Sequence, residues 1–219
     1  MSGRAYTVAD LPEVIPVFPL SGALLLPRGQ MPINVFEPRY LAMVDAALAA
    51  DRIIGIIQPS EDGQNWVGNP ALRTVGCAGR ITGFAETGDG RYLITLTGIA
   101  RFRTIEEVPG RTPFRRFRIT AEPFAGDFAV TGESEVDRDT LIGAFRAYLE
   151  ANNLEADWES VDNASNESLV NALAMLSPYG PAEKQALLEA PDLKTRAETL
   201  VALAEVSLAR SSNRPGTLQ

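Results

Sequence analysis

Side chains that commonly carry chemistry are scarce in this sequence. Its 219 residues contain no histidine, one cysteine (Cys77) and two lysines (Lys184 and Lys194). Histidine is the most common general base and metal ligand. Its absence excludes a serine–histidine–aspartate triad, a cysteine–histidine pair and a histidine-based zinc site within this sequence. A single cysteine also excludes an internal disulfide and a thiolate metal cluster.

Two lysines and several groups of carboxylates remain as candidates for catalysis. A serine–lysine dyad needs a desolvated lysine beside a serine, and neither lysine has a sequence context that indicates such a place. The carboxylates of Glu106-Glu107 and of residues 155–159 are typical of solvated connectors. The turn at residues 61–63 is too short for a metal loop with oxygen ligands. We therefore predict no catalytic residue, no metal site and no cofactor.

Cys77 and the N-terminus bear on the cellular compartment. Cys77 lies among small residues in a strand pattern (VGCAGR), which favours a buried small side chain over a redox sensor, since Arg80 is the nearest cation in the sequence. Residues 1–14 lack the basic start and the apolar run of a signal peptide. No apolar run approaches the ~18 residues that span a bilayer. The sequence thus predicts a cytoplasmic protein without a membrane anchor.

Charge is distributed unevenly along the chain. Residues 1–123 carry a net charge of +1 and residues 124–219 a net charge of −9, which indicates two regions with different surfaces. The basic side chains of the first region include six arginines near or within strand patterns: Arg91, Arg101, Arg103, Arg115, Arg116 and Arg118. They make RNA binding the alternative function. However, few aromatic side chains lie beside them for base stacking, and the acidic second region opposes nucleic acid. Solvated arginines that pair with acidic helices are the other interpretation.

The first region has the pattern of a β structure. Apolar strands are indicated at residues 14–18, 33–36 and 53–58, with a helix beginning near Pro38. Residues 60–70 are polar and predict a loop. From residue 72 to residue 123 apolar and polar residues alternate around a Gly88-Asp89-Gly90 turn, which predicts a hairpin followed by a further strand. Several closely spaced strands with glycine-rich turns are typical of a small closed or half-closed barrel.

The second region has the pattern of helices. One apolar stripe contains Leu141 and Phe145, and another contains Leu169, Leu173 and Leu176. Residues 152–165 predict an acidic connector. Pro181 begins a short helix and Asp192 is the predicted N-cap of the last one. We therefore predict an α+β fold with a β-rich subdomain at residues 13–123, a helical subdomain at residues 124–210, and flexible termini at residues 1–12 and 211–219.

Two short motifs in the first fifty residues are candidates for binding. Glu37 and Arg39 flank Pro38, and we expect them to form an ion pair that fixes the turn into the helix, with direct ligand contact as the alternative. Leu24, Leu25 and Leu26 follow one another in a loop. Three consecutive apolar residues either cover the end of the barrel or form an exposed surface that binds a partner, with Met31 as an adaptable apolar neighbour.

The opening block is similar to the amino-terminal substrate-binding domain of Lon proteases. The matching residues are Pro16, Phe18, Pro19, Leu20, Pro27, Gly29, Pro32, Phe36, Glu37, Pro38, Arg39 and Tyr40. A hairpin region at residues 76–103 and the helical end also resemble that family, so the resemblance extends over residues 13–208. It implies a PUA-like β pseudo-barrel followed by a helical bundle. Pro19, Leu20, Glu37, Arg39 and Tyr40 are then structural motif residues.

The resemblance also carries an expectation about function. Full Lon proteases have an ATPase module and a serine–lysine protease module after this domain, whereas this sequence has no GxxxxGK[ST] phosphate loop. We expect a non-catalytic, stand-alone domain that binds exposed apolar polypeptide segments, with a separate ATP-dependent protease as a further partner. From the residue pattern alone, Leu24, Leu25, Leu26 and Met31 are the predicted contacts, in a groove on the barrel near its seam with the helices.

Overall fold

The computed structural model describes residues 6–60, 70–151 and 155–212. Strands precede most of the helices in the chain. The strands are β1 (Val14–Pro19), β2 (Gln30–Val35), β3 (Ile53–Pro59), β4 (Leu72–Glu86), β5 (Tyr92–Glu107) and β6 (Arg116–Thr120). The helices are α1 (Pro38–Leu48), α2 (Arg138–Ala151), α3 (Trp158–Asn163), α4 (Asn166–Leu176), α5 (Pro181–Glu189) and α6 (Leu193–Ser212). Short 3-10 turns lie at Val8–Asp10, Glu122–Phe128 and Glu133–Glu135.

Five of the strands close into a barrel. Their order is β5–β4–β3–β1–β6, and β6 pairs again with β5. β1 and β3 run parallel, and the other neighbours are antiparallel. Closure is possible because β5 is 16 residues long, so its C-terminal part pairs with β6 while its N-terminal part pairs with β2. The predicted α+β fold with a β pseudo-barrel before a group of helices is confirmed.

Phe102 fills the middle of the barrel. Its side chain is fully buried, and its ring lies against Gly55 and Gly76, where any larger residue would overlap it. The apolar cluster around it comes from both ends of the barrel wall: Ile15, Val17, Ile53, Ile57, Ala78, Ile99, Ala100, Phe117 and Ile119. Burial of this surface is the main stabilising contribution to the barrel.

A second apolar cluster joins the outside of the barrel to the helices. It contains Ile54 and Ile56 of β3 together with Val170 of α4, Leu187 of α5 and Leu200 of α6. All seven residues of β3 are buried because one face of this strand looks into the barrel and the other is covered from outside. The apolar run IIGIIQ, in which alternation is absent, is the sequence signal of a strand buried on both faces.

Some local predictions differ from the structure. The predicted acidic connector contains α3, which begins where the Asp157 carboxylate accepts the backbone N–H of Ser160. Leu176 belongs to the predicted buried stripe of α4 but is 83% exposed, since it is the last residue of the helix. The predicted loop at residues 60–70 lies almost entirely outside the described residues.

The predicted flexible termini are described in part. Residues 1–5 and 213–219 lie outside the described residues. Residues 8–10 form a 3-10 turn whose Asp10 carboxylate accepts the N–H and hydroxyl of Thr7, and residues 211–212 continue α6. Among the described helices, none combines the length and the apolar character needed to cross a membrane.

Candidate polypeptide-binding surfaces

The three adjacent leucines lie inside the molecule. Leu24, Leu25 and Leu26 are 2%, 1% and 0% exposed, and they belong to the cluster that joins the barrel to the helices. Burial contradicts the alternative in which this loop offers an exposed apolar surface and agrees with the alternative in which it covers the barrel. Met31 is half-buried in β2, opposite Leu96 of β5, and packs against the same cluster.

Backbone contacts hold the leucine loop against the sheet. The N–H of Arg28 donates to the carbonyl of Gly98, whose own N–H donates to the carbonyl of Gly29. Arg28 adopts a left-handed backbone conformation with φ of 65°. Its guanidinium binds both carboxylate oxygens of Glu167 and the carbonyl of Asp127. The loop is thus tied to the helical part by an ion pair as well as by apolar packing.

A groove lies at the seam between this loop and α4, where the sequence predicts one. It has a volume of about 210 Å³. One wall is formed by residues 28–30, and the other includes Glu167, Asn171, Met175 and Leu176. Asn171 is buried and donates its amide N–H to the carbonyl of Pro27 at 3.1 Å. We call this the seam groove; its walls are mixed, with an ion pair at one end and the exposed Leu176 at the other.

A three-stranded sheet extends beyond the barrel ring and presents a second surface. It consists of β2, the first half of β5 and the last residues of β4. Directly paired residues lie on the same face of a sheet. On the outward face Leu93 pairs with Asn34 and Ala85, and Thr95 pairs with Pro32 and Gly83.

The middle rows of the outward face carry no charged side chain, whereas Arg80 lies at one end of this face and Arg91 directly precedes β5 at the other. We call this face the strand platform, with the residues Gln30, Pro32, Asn34, Thr82, Gly83, Ala85, Leu93, Thr95 and Thr97. All of them are exposed or half-exposed, and Leu93 is 47% exposed. Arg80 pairs with Thr97 at the base of the platform, but its guanidinium donates to the hydroxyl of Tyr6 and the carbonyl of Asp51. An exposed surface of this kind is typical of interaction sites.

Exposed aromatic side chains lie around this sheet. Phe84 pairs with Ile94 on the face opposite Leu93, is 42% exposed, and packs edge-on against Tyr92, with 5.0 Å between ring centroids. Phe36 is 62% exposed, and the guanidinium of Arg91 lies 5.9 Å from its ring centroid. Sequence reasoning missed the strand platform because, in the alternating pattern of β5, Thr95 and Thr97 fall on the same side as arginines. The strand register identifies the platform, since it places Asn34 of β2 beside Leu93 on this face.

The Phe36 to Tyr40 motif lies where β2 ends and α1 begins. The Arg39 guanidinium binds the Glu37 carboxylate, with Nε 2.9 Å from Oε2, so the predicted ion pair is present. The same guanidinium lies over the ring of Tyr40, which packs against Phe18 at a centroid distance of 4.1 Å. Burial raises the pKa of Tyr40. These contacts anchor the start of α1 against β1, and Pro19 and Leu20 continue that strand along Ile57.

Most of the six arginines already have acidic partners. Arg115 binds Glu107, Arg118 binds Glu106 and Glu13, and Arg91 binds Asp89. Arg101 was expected on the solvated face but is buried, because it faces Asp127 and the turn after α5. The basic surface that the sequence predicts is therefore largely neutralised by carboxylates, mostly from the β region itself.

The described residues contain no group of three or more cysteine, aspartate or glutamate side chains arranged to hold a metal ion. Cys77 is buried as predicted, and burial raises the pKa of its thiol. Lys184 differs from expectation: it is buried, which lowers its pKa, and its Nζ donates to the carbonyl of Met175 at 2.6 Å. That contact places a cation at the C-terminus of α4, where the helix dipole favours it.

Fold and surfaces together define a class: an α+β domain in which a pseudo-barrel and a helical layer share one core and leave one face of a three-stranded sheet exposed. The chain belongs to the family of substrate-binding domains of the ATP-dependent protease La (LON), whose sequence model matches residues 14–205. That match covers the substrate-binding domain and no protease or ATPase domain.

Curated relatives are longer proteins. Lon protease 2 of Myxococcus xanthus is 27% identical over 202 residues, which cover 89% of this chain and 24% of that protein. The Lon protease of Escherichia coli (strain K12) is 26% identical over 196 residues, covering 87% and 24%. The chain thus spans about a quarter of the length of the curated relatives it matches.

Two solved structures have the same fold. A Lon N-terminal domain protein from Xanthomonas campestris superposes with a TM-score of 0.61 at 22% identity, covering 86% of this chain and 97% of that one. The N-terminal domain of the Mycobacterium avium complex Lon protease superposes with a TM-score of 0.66 at 20% identity, covering 88% and 98%.

Proposed function

We propose that this domain binds exposed apolar segments of polypeptides on the strand platform. The observation that carries the proposal is the exposed Leu93 in the middle strand of a sheet face whose charged residues, Arg80 and Arg91, lie only at its ends. Removing apolar surface from water is favourable and non-directional, so such a face accepts many different apolar sequences. Family membership supports the same class of ligand, since the family is described as substrate-binding.

The platform is a better candidate than the seam groove. The groove has an arginine and a glutamate in its walls, and both are already bound to each other. An apolar segment that entered it would remove water from this ion pair without supplying new hydrogen bonds, which is unfavourable. The platform offers Leu93, Ala85 and Pro32 in rows that contain no charged side chain.

RNA binding is the weaker alternative. Four of the six arginines that suggested it form ion pairs with carboxylates, and one of those four, Arg101, is buried. Phosphate binding would have to displace the carboxylates of Glu106 and Glu107, which bind Arg118 and Arg115. Net charge of −8 also opposes the approach of a polyanion.

The test compares two exposed apolar positions on the same strand. Leu93→Asp introduces a charge at the centre of the platform, whereas Ile105→Asp introduces it at a 59% exposed position at the other end of β5. Binding of a permanently unfolded probe, carboxymethylated α-lactalbumin, is measured by titration calorimetry. We expect Leu93→Asp to weaken binding by about tenfold, the loss of roughly one partly buried leucine contact. Ile105→Asp should leave it unchanged. Equal effects of the two substitutions would refute the proposal.

We further propose that the bound segments are passed to an ATP-dependent protease. The support is the family, whose curated members include Lon proteases that carry a similar domain. The test is degradation of the same unfolded probe by a Lon protease with and without this chain. The proposal predicts that the chain changes the degradation rate and that Leu93→Asp removes the change. A rate independent of the chain would contradict it.

A further inference from the structure

An apolar pocket with an arginine in its wall lies on the side of the barrel next to the end of α1. Its volume is about 310 Å³. Its floor consists of buried core side chains, among them Ile15, Ala47 and Phe114. The pocket exists because α1 carries the small residues Ala46 and Ala47 here and Ala50 follows in the turn after the helix, which leaves space next to Pro12 and Pro16. We call it the alanine pocket.

Arg116 is the cation of this pocket. It pairs with Pro16 across β1 and β6, and its side chain is half-buried in the wall. The arginines on either side of it are occupied, since Arg115 binds Glu107 and Arg118 binds Glu13 and Glu106. Arg116 itself forms no hydrogen bond or ion pair with any side chain in the described parts of the chain. A partly desolvated guanidinium that binds no carboxylate thus borders the apolar cavity.

Among the residues that line the alanine pocket, the acidic one is Asp51. It lines the pocket at the end of α1 and forms no ion pair with Arg116. Its carboxylate opposes a second anion, and so do the carbonyl groups at the C-terminus of α1. A ligand must therefore place its negative charge on the Arg116 side of the pocket and its apolar part against the alanines.

We propose that the alanine pocket binds the carboxyl-terminal residue of a polypeptide whose last side chain is apolar. The α-carboxylate accepts two parallel hydrogen bonds from the Arg116 guanidinium, a geometry that arginine offers and lysine does not. The apolar side chain, attached to the same Cα, enters the cavity beside Ala46 and Ala50. This inference rests on the proposed function in that the ligand is a polypeptide, but the pocket is separate from the strand platform and uses a different chemical group.

The experiment compares a fluorescent decapeptide ending in leucine as the free acid with the same peptide as the C-terminal amide. Fluorescence anisotropy measures both affinities on the full chain. We expect the free acid to bind about tenfold more tightly, the usual size of a hydrogen bond to a charged group. Arg116→Gln should abolish this difference in affinity. Ala50→Leu should weaken binding of the free acid because the larger side chain fills the cavity. Arg118→Gln, on the same strand, is the control that should retain the preference.

Several outcomes would overturn the inference. Equal affinities of acid and amide would do so, as would a preference that survives Arg116→Gln while thermal unfolding shows a folded variant. Competition by decanoate as strong as by the peptide acid would identify a small amphiphile as the occupant instead. The proposed function is tested separately. Leu93→Asp should leave the difference in affinity between acid and amide intact, and Arg116→Gln should leave binding of carboxymethylated α-lactalbumin intact.

Discussion

The guanidinium of Arg101 donates to both carboxylate oxygens of Asp127, at 2.8 and 2.7 Å, inside the molecule. The Arg101 side chain is 5% exposed and that of Asp127 is 9% exposed. The remaining donors of Arg101 reach the carbonyls of Leu188, Ala190 and Pro191, just before α6. Arg101 of β5 thereby binds two turns: the one at Glu122–Phe128, before the helices, and the one between α5 and α6.

Removing one partner of this pair should be strongly destabilising. Asp127→Ala leaves a buried guanidinium without its counter-charge, and we expect a loss of about 3–5 kcal/mol in the free energy of unfolding. Urea unfolding measures it. The double variant Arg101→Met/Asp127→Leu should lose less than Asp127→Ala alone, because it leaves no unpaired buried charge. Glu13→Ala, which breaks an exposed pair with Arg118, serves as control and should cost at most about 1 kcal/mol.

Truncation of the leucine loop should affect stability. Leu25 is 1% exposed, so Leu25→Ala should lower the free energy of unfolding by about 2–5 kcal/mol through lost burial and a residual cavity. Binding of the unfolded probe, corrected for the folded fraction, should not change. The matched control is Leu176→Ala, at a leucine that is 83% exposed, for which we expect a change within about 0.5 kcal/mol. A binding defect in folded Leu25→Ala protein would restore the loop as a contact surface.

Gly98 should not tolerate a side chain. A Cβ at this position would overlap the carbonyl oxygen of Leu26, a backbone atom that cannot turn away. We therefore expect Gly98→Ala to lower the free energy of unfolding by about 1–3 kcal/mol through overpacking. Gly126→Ala is the control, because a Cβ there has no heavy atom within 4 Å. Thermal melts of the two variants should separate clearly; a native-like melting temperature for Gly98→Ala would show that the loop is free to move.

The N-cap of α6 should make stability depend on pH. The Asp192 carboxylate accepts the backbone N–H of Thr195 at 2.7 Å, and this bond lowers its pKa below the ordinary value of 3.8. A carboxyl whose pKa is lower in the folded state stabilises the fold above the unfolded pKa and loses this contribution as pH falls through the folded pKa. Asp192→Ala should cost about 1 kcal/mol at pH 7.

The pH dependence of stability separates the contribution of the Asp192 charge from that of the capping hydrogen bond. The difference between the original chain and Asp192→Ala should shrink as the pH is lowered below 3.8. Asp192→Asn keeps a capping acceptor without a titratable group, so its difference from Asp192→Ala should not depend on pH. Urea unfolding at pH 7 and at acidic pH measures both. A constant effect of Asp192→Ala at all pH values would exclude the linkage.

Much of the fold could be predicted because its signals are local. The unbroken apolar run of β3, the turn at residues 88–90 and the capping residue Asp192 each specify a backbone conformation through nearby atoms. The alternation in β5 predicted the strand but not the burial of Arg101. A period of two shows which residues share a face of the strand, but it does not show which other segments cover that face. Leu93 was missed for the same reason.

The sequence by itself determined the chemistry that this chain lacks and the order of its elements. The absence of histidine excludes histidine-based catalytic and metal sites within this sequence, and the presence of one cysteine excludes an internal disulfide, through composition alone. Only the tertiary structure decided which apolar residues are available to a partner. Leu24, Leu25 and Leu26 have the composition of an exposed patch and are buried in a cluster that includes Leu169 and Val170 of α4, more than 140 residues away in the chain. Leu93 is left on an uncovered sheet face. Burial depends on contacts between distant segments, and no local pattern encodes those contacts.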